Sequence, residues 1–185
     1  MRPHHLTVRD AAIEDLPACL ELWAAMRSRS GRIDRLFPAP SMEVGRSLLA
    51  EVHDDPCRRI VVAQCGDDVV GMAVLTRDPL APLVNEPAVQ LSYAVVRPDH
   101  RRRGVGRALV AASVGYADAV GADYVLVNVH PTLRESNRFF ARLGFTPLFV
   151  RRIAPTAALR RRLGLDARMS EVVGSRRRLL RAGRS

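Results

Sequence analysis

The chain has 185 residues, 48% of them hydrophobic, a size and composition that fit one domain with a real core spanning 1–185. Its apolar runs are short and broken by charge, its opening "MRPHHLTVRDA" lacks a signal peptide's apolar stretch, and Cys19, Cys57 and Cys65 form no CxxC pair. Membrane spans, export, disulfide frameworks and zinc sites are therefore not expected, no metal is expected, and the cytoplasm is the expected compartment.

The formal charge of +10 is unevenly spread, with 11 Arg against 14 acids in residues 1–100 and 18 Arg against 5 acids in residues 101–185. All 29 basic residues are arginine, whose guanidinium suits planar, bidentate contact with phosphate. Richness in Ala, Val, Gly and Arg throughout the chain also fits GC-rich codon usage.

"HLTVRDA" reads as a short edge strand, followed by a helix with Ile13, Leu16, Leu20, Trp23 and Ala24 at helical spacing and Pro17 in its first turn. "GRIDRLFPAPS" breaks that helix. Ser41 then caps a second one, striped by Met42, Val44, Leu48, Leu49 and Val52. "RRIVVAQ" and "VVGMAVLTR", separated by "CGDD", read as an antiparallel hairpin with a bulge at Gly71. "DPLAPLVNEP" reads as a loop and "AVQLSYAVV" as the next strand, ended by Pro98.

From Gly104 a helix presents Val105, Leu109, Ala112, Tyr116 and Val120 on one face, and "DYVLVNV" is a strand after it. Thr132 and Glu135 have capping-box spacing before a helix that Gly144 stops. "FTPLFVRRIAP" reads as a last strand. Residues 156–185 form an Arg-rich extension in which "TAALRRRLGLD" reads as a short helix and "SEVVGSRRRLL" as a returning strand or a basic tail.

The stretch "DHRRRGVGRAL" joins strand to helix. A helix N-terminus carries unpaired N–H groups and partial positive charge, Gly104 and Gly106 let an anion approach the main chain, and Arg101, Arg102, Arg103 and Arg107 add charge. This arrangement is suited to a pyrophosphate.

Over about residues 5 to 150 the chain resembles the GNAT superfamily of acyl-CoA-dependent N-acetyltransferases. Arg101, Gly104 and Gly106 match its R/Q-x-x-G-x-G/A motif, and "FFARLGF" resembles the block that ends its fourth helix. The resemblance implies an α/β (α+β) GNAT fold, with a mixed, mostly antiparallel sheet of six to seven strands flanked by about four helices. It also implies acetyl-CoA as acyl donor, held by main-chain N–H groups from Arg102 through Arg107, including Arg103 and Val105. Val95 and Val96 would align the pantetheine, and the fourth and fifth strands would splay apart to leave unpaired groups for the thioester carbonyl. The partner is then an amine acceptor.

Two positions depart from the family pattern. Gln90 stands where many relatives carry a glutamate base, and Phe140 stands where many carry a tyrosine acid; Phe140 can pack along the pantetheine but cannot protonate a thiolate. His130, on one strand face with Asn128 near the expected splay, is the substitute base, since imidazole suits that role near neutral pH. Period-two alternation sends Tyr93 to the face opposite Gln90, into the core, and His100 reads as an exposed loop residue. Asp34, Asp54, Asp55, Asp78 and Glu86 read as ordinary surface acids.

The acceptor class stays open between a small-molecule amine and a peptide or protein amine. An RNA-associated enzyme that uses the Arg-rich C-terminus, and a CoA-binding domain without chemistry, are the alternatives, and a homodimer is left open.

Overall fold

The structure, a computed structural model, describes residues 5–30, 40–81, 86–130, 132–148, 150 and 152–165. It divides into two compact units, residues 1–143 and 144–185.

The first unit is built on a five-stranded sheet of β1 (Leu6–Asp10), β2 (Arg58–Cys65), β3 (Asp68–Ala81), β4 (Glu86–Val96) and β5 (Tyr124–Val127), in that spatial order. The first four pair antiparallel and β5 joins β4 in parallel, so the sheet is mixed and mostly antiparallel, as the resemblance implies. Parallel pairing needs a crossover. Helix α3 (Val105–Val120) provides it, closing at Gly121 in the left-handed region.

Two helices, α1 (Leu16–Ser30) and α2 (Met42–Asp54), precede β2. On one face of the sheet Cys19 and Leu22 of α1 join Ala11, Val62, Met72 and Val95 in a buried cluster. Burial pushes the Cys19 thiol up to about 11, so it stays protonated and inert. The opposite face of β3 receives α3: a Cβ on Gly71 would lie 3.0 Å from Val105 Cγ1 and 3.5 Å from Leu109 Cδ1. The bulge expected at Gly71 is present, because the β2/β3 register shifts between Ala63 and Gln64.

The entry to α1 is fixed by a charge pair. Arg9 grips the buried Asp15 through both carboxylate oxygens, at 2.5 and 2.9 Å, and the Ala12 N–H donates to the same group at 2.7 Å. The Arg9 hydrogen bonds hold the Asp15 carboxyl below its ordinary range.

Several expectations change. The stripe expected along α1 is displaced: Ile13 lies in a preceding 3-10 turn and is exposed, as is Ala24, while Cys19 and Leu22 join Leu16 on the buried face. The apolar stripe of α2 is rotated: Met42, Val44 and Leu48 are exposed, while Gly45 and Val52 are buried. Gly45 is the reason, since a Cβ there would meet Leu16 Cδ1 at 2.9 Å, so α2 packs on α1 through its glycine instead of its larger side chains. Ser41 does cap α2, accepting from the Val44 N–H at 3.2 Å.

The loop expected over "DPLAPLVNEP" is partly strand, because β3 and β4 run on until Pro79 faces Pro87. The Arg77 N–H donates to the Cys57 carbonyl at the start of β2, so Pro79, two residues on, and Pro87 opposite it both turn their nitrogens away from the β3/β4 ladder and cost it no hydrogen bond.

Thr132 does not cap the next helix, α4 (Arg134–Arg142), whose N-cap is Leu133; its hydroxyl lies 2.8 Å from His130 Nδ1 instead. Gly144 follows α4 with φ 92, as a C′ glycine should.

The last strand expected in "FTPLFVRRIAP" does not form in the described residues 145–148, 150 and 152–155. Pro147 lacks a donor, and Leu148, Val150 and Ile153 stand 60–77% exposed instead of covered by a neighbour. The sheet therefore counts five strands among the described residues. In the second unit α5 (Thr156–Arg162) is the expected short helix. The segment "SEVVGSRRRLL", offered as a returning strand or RNA-contacting tail, lies outside the described residues.

Candidate functional site: the splay of β4 and β5 and the glycine loop

β4 and β5 pair from Ala88 opposite Tyr124 to Leu91 opposite Val127, and the Asn128 N–H still reaches the Leu91 carbonyl at 3.4 Å. Beyond this point β4 continues through Ser92–Val96 with no β5 residue opposite it, among the described residues. The strands have parted, as the resemblance implies.

Main-chain alternation decides which groups face the gap. The Arg97 N–H donates to the Val70 carbonyl at 2.9 Å, so its neighbour Val96 turns its N–H and C=O away from β3, toward the opening. Val95 is 7% exposed, pairs with Met72 and packs in the core. Of the two valines singled out in the sequence, Val96 is the one that offers backbone to the gap.

The chain leaves β4 through a 3-10 turn, Pro98–His100, and enters the glycine loop. His100 is not the exposed loop residue expected; its side chain is 17% exposed and its Nδ1 lies 3.2 Å from Asp99 Oδ1. That imidazole, with Arg97, holds the Asp99 carboxyl below its ordinary range.

Arg102 adopts φ 60 and Gly104 φ 88, two left-handed residues bracketing Arg103. Only glycine takes that angle without a Cβ penalty, and beyond its two chain neighbours no described residue has an atom within 4 Å of where a Cβ on Gly104 would stand. The position is set by conformation and is open to an approaching group. Gly106 differs, because a Cβ there would meet Phe139 Cζ at 3.2 Å; its glycine lets α4 lie close to the start of α3.

Gly104 is the N-cap of α3 and brings no side-chain acceptor. The first intrahelical bond runs from the Ala108 N–H to the Gly104 carbonyl, so the N–H groups of Val105, Gly106 and Arg107 have no intrahelical acceptor. Arg102 and Arg107 are exposed beside them, the Arg102 guanidinium lying 3.7 Å from Glu135 on α4. Free N–H groups, positive helix end and arginines together make an anion cradle, and a pyrophosphate fits it.

At the splay itself three neutral side chains form a chain. Gln90 Nε2 donates to Ser92 Oγ at 2.9 Å, and Asn128 Nδ2 approaches the same oxygen at 3.4 Å. His130 lies two residues beyond Asn128. Its Nδ1 accepts from the Thr132 N–H at 3.3 Å, and its carbonyl accepts from Asn137 Nδ2 at 3.0 Å. A neutral imidazole that accepts at Nδ1 carries its proton on Nε2 and presents a donor there. Phe140 is 8% exposed and meets Phe139 edge-on, with ring centroids 5.0 Å apart.

Tyr93, like His100, is misplaced by the sequence reading. The β3/β4 register shifts between Met72 and Val74, opposite Tyr93, which takes φ 52. This bulge breaks the alternation and leaves Tyr93 47% exposed, its ring 4.8 Å from that of Trp23 on α1. It therefore lies on the α1 face of the sheet, not in the core.

The solved structures that resemble this one include a transcriptional regulator from Bacillus halodurans C-125 (20% identity, TM-score 0.69, covering 82% of this chain and 99% of that one). An aminoglycoside N-acetyltransferase in complex with CoA shares 18% identity (TM-score 0.66, covering 82% and 95%). Glucosamine-6-phosphate N-acetyltransferase from Arabidopsis thaliana shares 13% (TM-score 0.65, covering 82% and 99%). At these identities the likeness is one of fold. No curated protein matches the sequence. The profile of the acetyltransferase (GNAT) family matches residues 19–145, a span that holds the glycine loop, the splay and α4. On that match, which covers well over half of the chain, this protein belongs to the GNAT acetyltransferase family.

Proposed function

We propose that the protein transfers an acetyl group from acetyl-CoA to the primary amine of a small molecule or peptide. The observation that carries the reading is the uncapped, glycine-opened N-terminus of α3 at the end of a strand that has just parted from its neighbour.

In this reading the main chain from Arg102 to Arg107 binds the pyrophosphate, with Arg101 and Arg103 supplying charge, while Val96 hydrogen-bonds the pantetheine and Phe140 gives it an apolar wall. Acetyl-CoA supplies the activated acetyl thioester when bound. Unpaired N–H groups of β4 at the gap orient the thioester carbonyl and stabilise the charge that develops on its oxygen. Asn128 holds the polar edge of the gap. His130, which the sequence offers as the substitute base, takes a different role in this reading: with Nδ1 engaged by Thr132 it donates from Nε2. The amine gives its proton to solvent, because Gln90 is an amide that cannot accept it.

CoA thiol release, followed over a panel of amines with acetyl-CoA, tests this. Amine-dependent release that disappears in Gly104→Glu is expected. Stabilisation by acetyl-CoA without release for any amine would instead support the CoA-binding domain without chemistry, which the amide at Gln90 and the phenyl ring at Phe140 favour.

A further inference from the structure

Trp23 and Tyr93 come from different elements yet form one aromatic pair, tilted by 43°, on the α1 face of the sheet at the bulge in β4. Ser92 lies beside Tyr93 in the chain and pairs with Val74; Gln90 pairs with Thr76. Val74 and Thr76 are in phase with Met72, whose side chain packs against α1, so the Gln90–Ser92–Asn128 chain opens on this same face. Aromatic pair and polar chain thus meet where the strands part.

The bulge in β4 sets the Tyr93 backbone and the ring contact joins α1 to the sheet, yet two features of the pair go beyond that packing. Tyr93 is held at φ 52, a costly backbone for a bulky residue, and the ring so placed is 47% exposed instead of packed. Trp23 Nε1 is a buried donor with no acceptor among the described residues. Stored strain, exposed aromatic surface and an orphan donor beside a reaction gap point to a ligand surface.

We propose that Trp23 and Tyr93 form the platform for the acceptor, which is a primary amine carrying an aromatic group; this rests on the acetyl-transfer reading above. The platform contacts the body of the acceptor and not its nitrogen. An ammonium held over an aromatic face is stabilised in its charged form, which opposes the loss of the proton that attack requires. A polycationic acceptor is disfavoured for a related reason, since Gln90, Ser92 and Asn128 carry no charge to balance it.

Trp23 is the only tryptophan in the chain, so its fluorescence reports on the platform whether or not turnover occurs. With the full chain saturated in CoA, phenethylamine should change that fluorescence saturably, and hexylamine at the same concentrations should not. Tyr93→Gly, which accepts φ 52 without strain, should raise the phenethylamine Kd at least tenfold, and Tyr93→Phe should leave it within twofold. An equal response to both amines, no response to phenethylamine, or an unchanged Kd in Tyr93→Gly would overturn the platform. Failure of the acetyl-transfer reading has a separate signature, the absence of amine-dependent CoA release across the amine panel, with or without an acetyl-CoA melting shift in the native chain.

Discussion

Arg101–Arg103 and Arg160–Arg162 are two identical triplets placed at opposite ends of their helices. The first precedes α3 and adds cationic charge to a helix end that is already partly positive. The second lies in the last turn of α5, where cations face the partly negative carbonyl end and the chain then turns through Gly164 at φ 64. One triplet adds to an electrostatic demand that a bound anion would answer, and the other satisfies its own helix. Arginine content alone does not separate a ligand loop from a helix terminus; position along the helix does.

The contrast breaks most visibly at the glycines. With acetyl-CoA at 100 times its Kd the native chain should gain roughly 2.7 kcal/mol of stability, and Gly104→Glu should gain none. Gly164→Glu, at a similar backbone angle, should keep the full ligand-induced melting shift even if its own melting temperature falls. An equal loss in both variants would end the distinction.

A somewhat smaller effect is expected at Gly106. Valine there must push against the Phe139 ring at 3.2 Å, so the ligand-free protein should lose about 2 kcal/mol in denaturant unfolding, with acetyl-CoA binding weakened as α4 moves.

Charge removal sharpens the comparison further. Converting Arg101, Arg102 and Arg103 to glutamine should weaken acetyl-CoA binding about tenfold at low salt, or ~1.4 kcal/mol, with the gap closing as salt rises. The same change at Arg160, Arg161 and Arg162 should leave affinity and its salt dependence as they were; calorimetric titration at two ionic strengths separates the cases.

Arg9 supplies a third environment, an arginine answered by a carboxylate. Since Asp15 titrates below its unfolded value of about 3.9, the pair's contribution is complete above that pH and is lost as pH falls through the folded value. Asp15→Asn should cost about 1 kcal/mol at pH 7 and narrow the difference from the native chain at pH 3, measured by urea unfolding.

Much of this organisation is legible in the chain itself. The turn between β2 and β3, the strands β1 to β5, the Val105, Leu109 and Tyr116 side of α3 and the spacing of Arg101, Gly104 and Gly106 are local signals that stand where the pattern puts them, while Ser113 and Ala117 take the buried places expected of Ala112 and Val120. The misreadings share one origin in packing between elements. The stripe of α2 names the larger apolar residues, whereas contact with Leu16 selects Gly45. Thr132 has the spacing of a cap but is drawn to His130.

The sequence by itself determined the helix-start loop and the strand that feeds it, because glycine permissiveness and apolar periodicity act within a few residues of their cause; the family followed from the motif those residues share with it. Tertiary structure alone decided where the site faces. The bulge opposite Ala73 depends on β3 and β4 pairing over their whole length, and it turns Tyr93 from the core to the ring of Trp23. Period-two alternation holds only while the ladder stays in register, and register is set between strands, not within one.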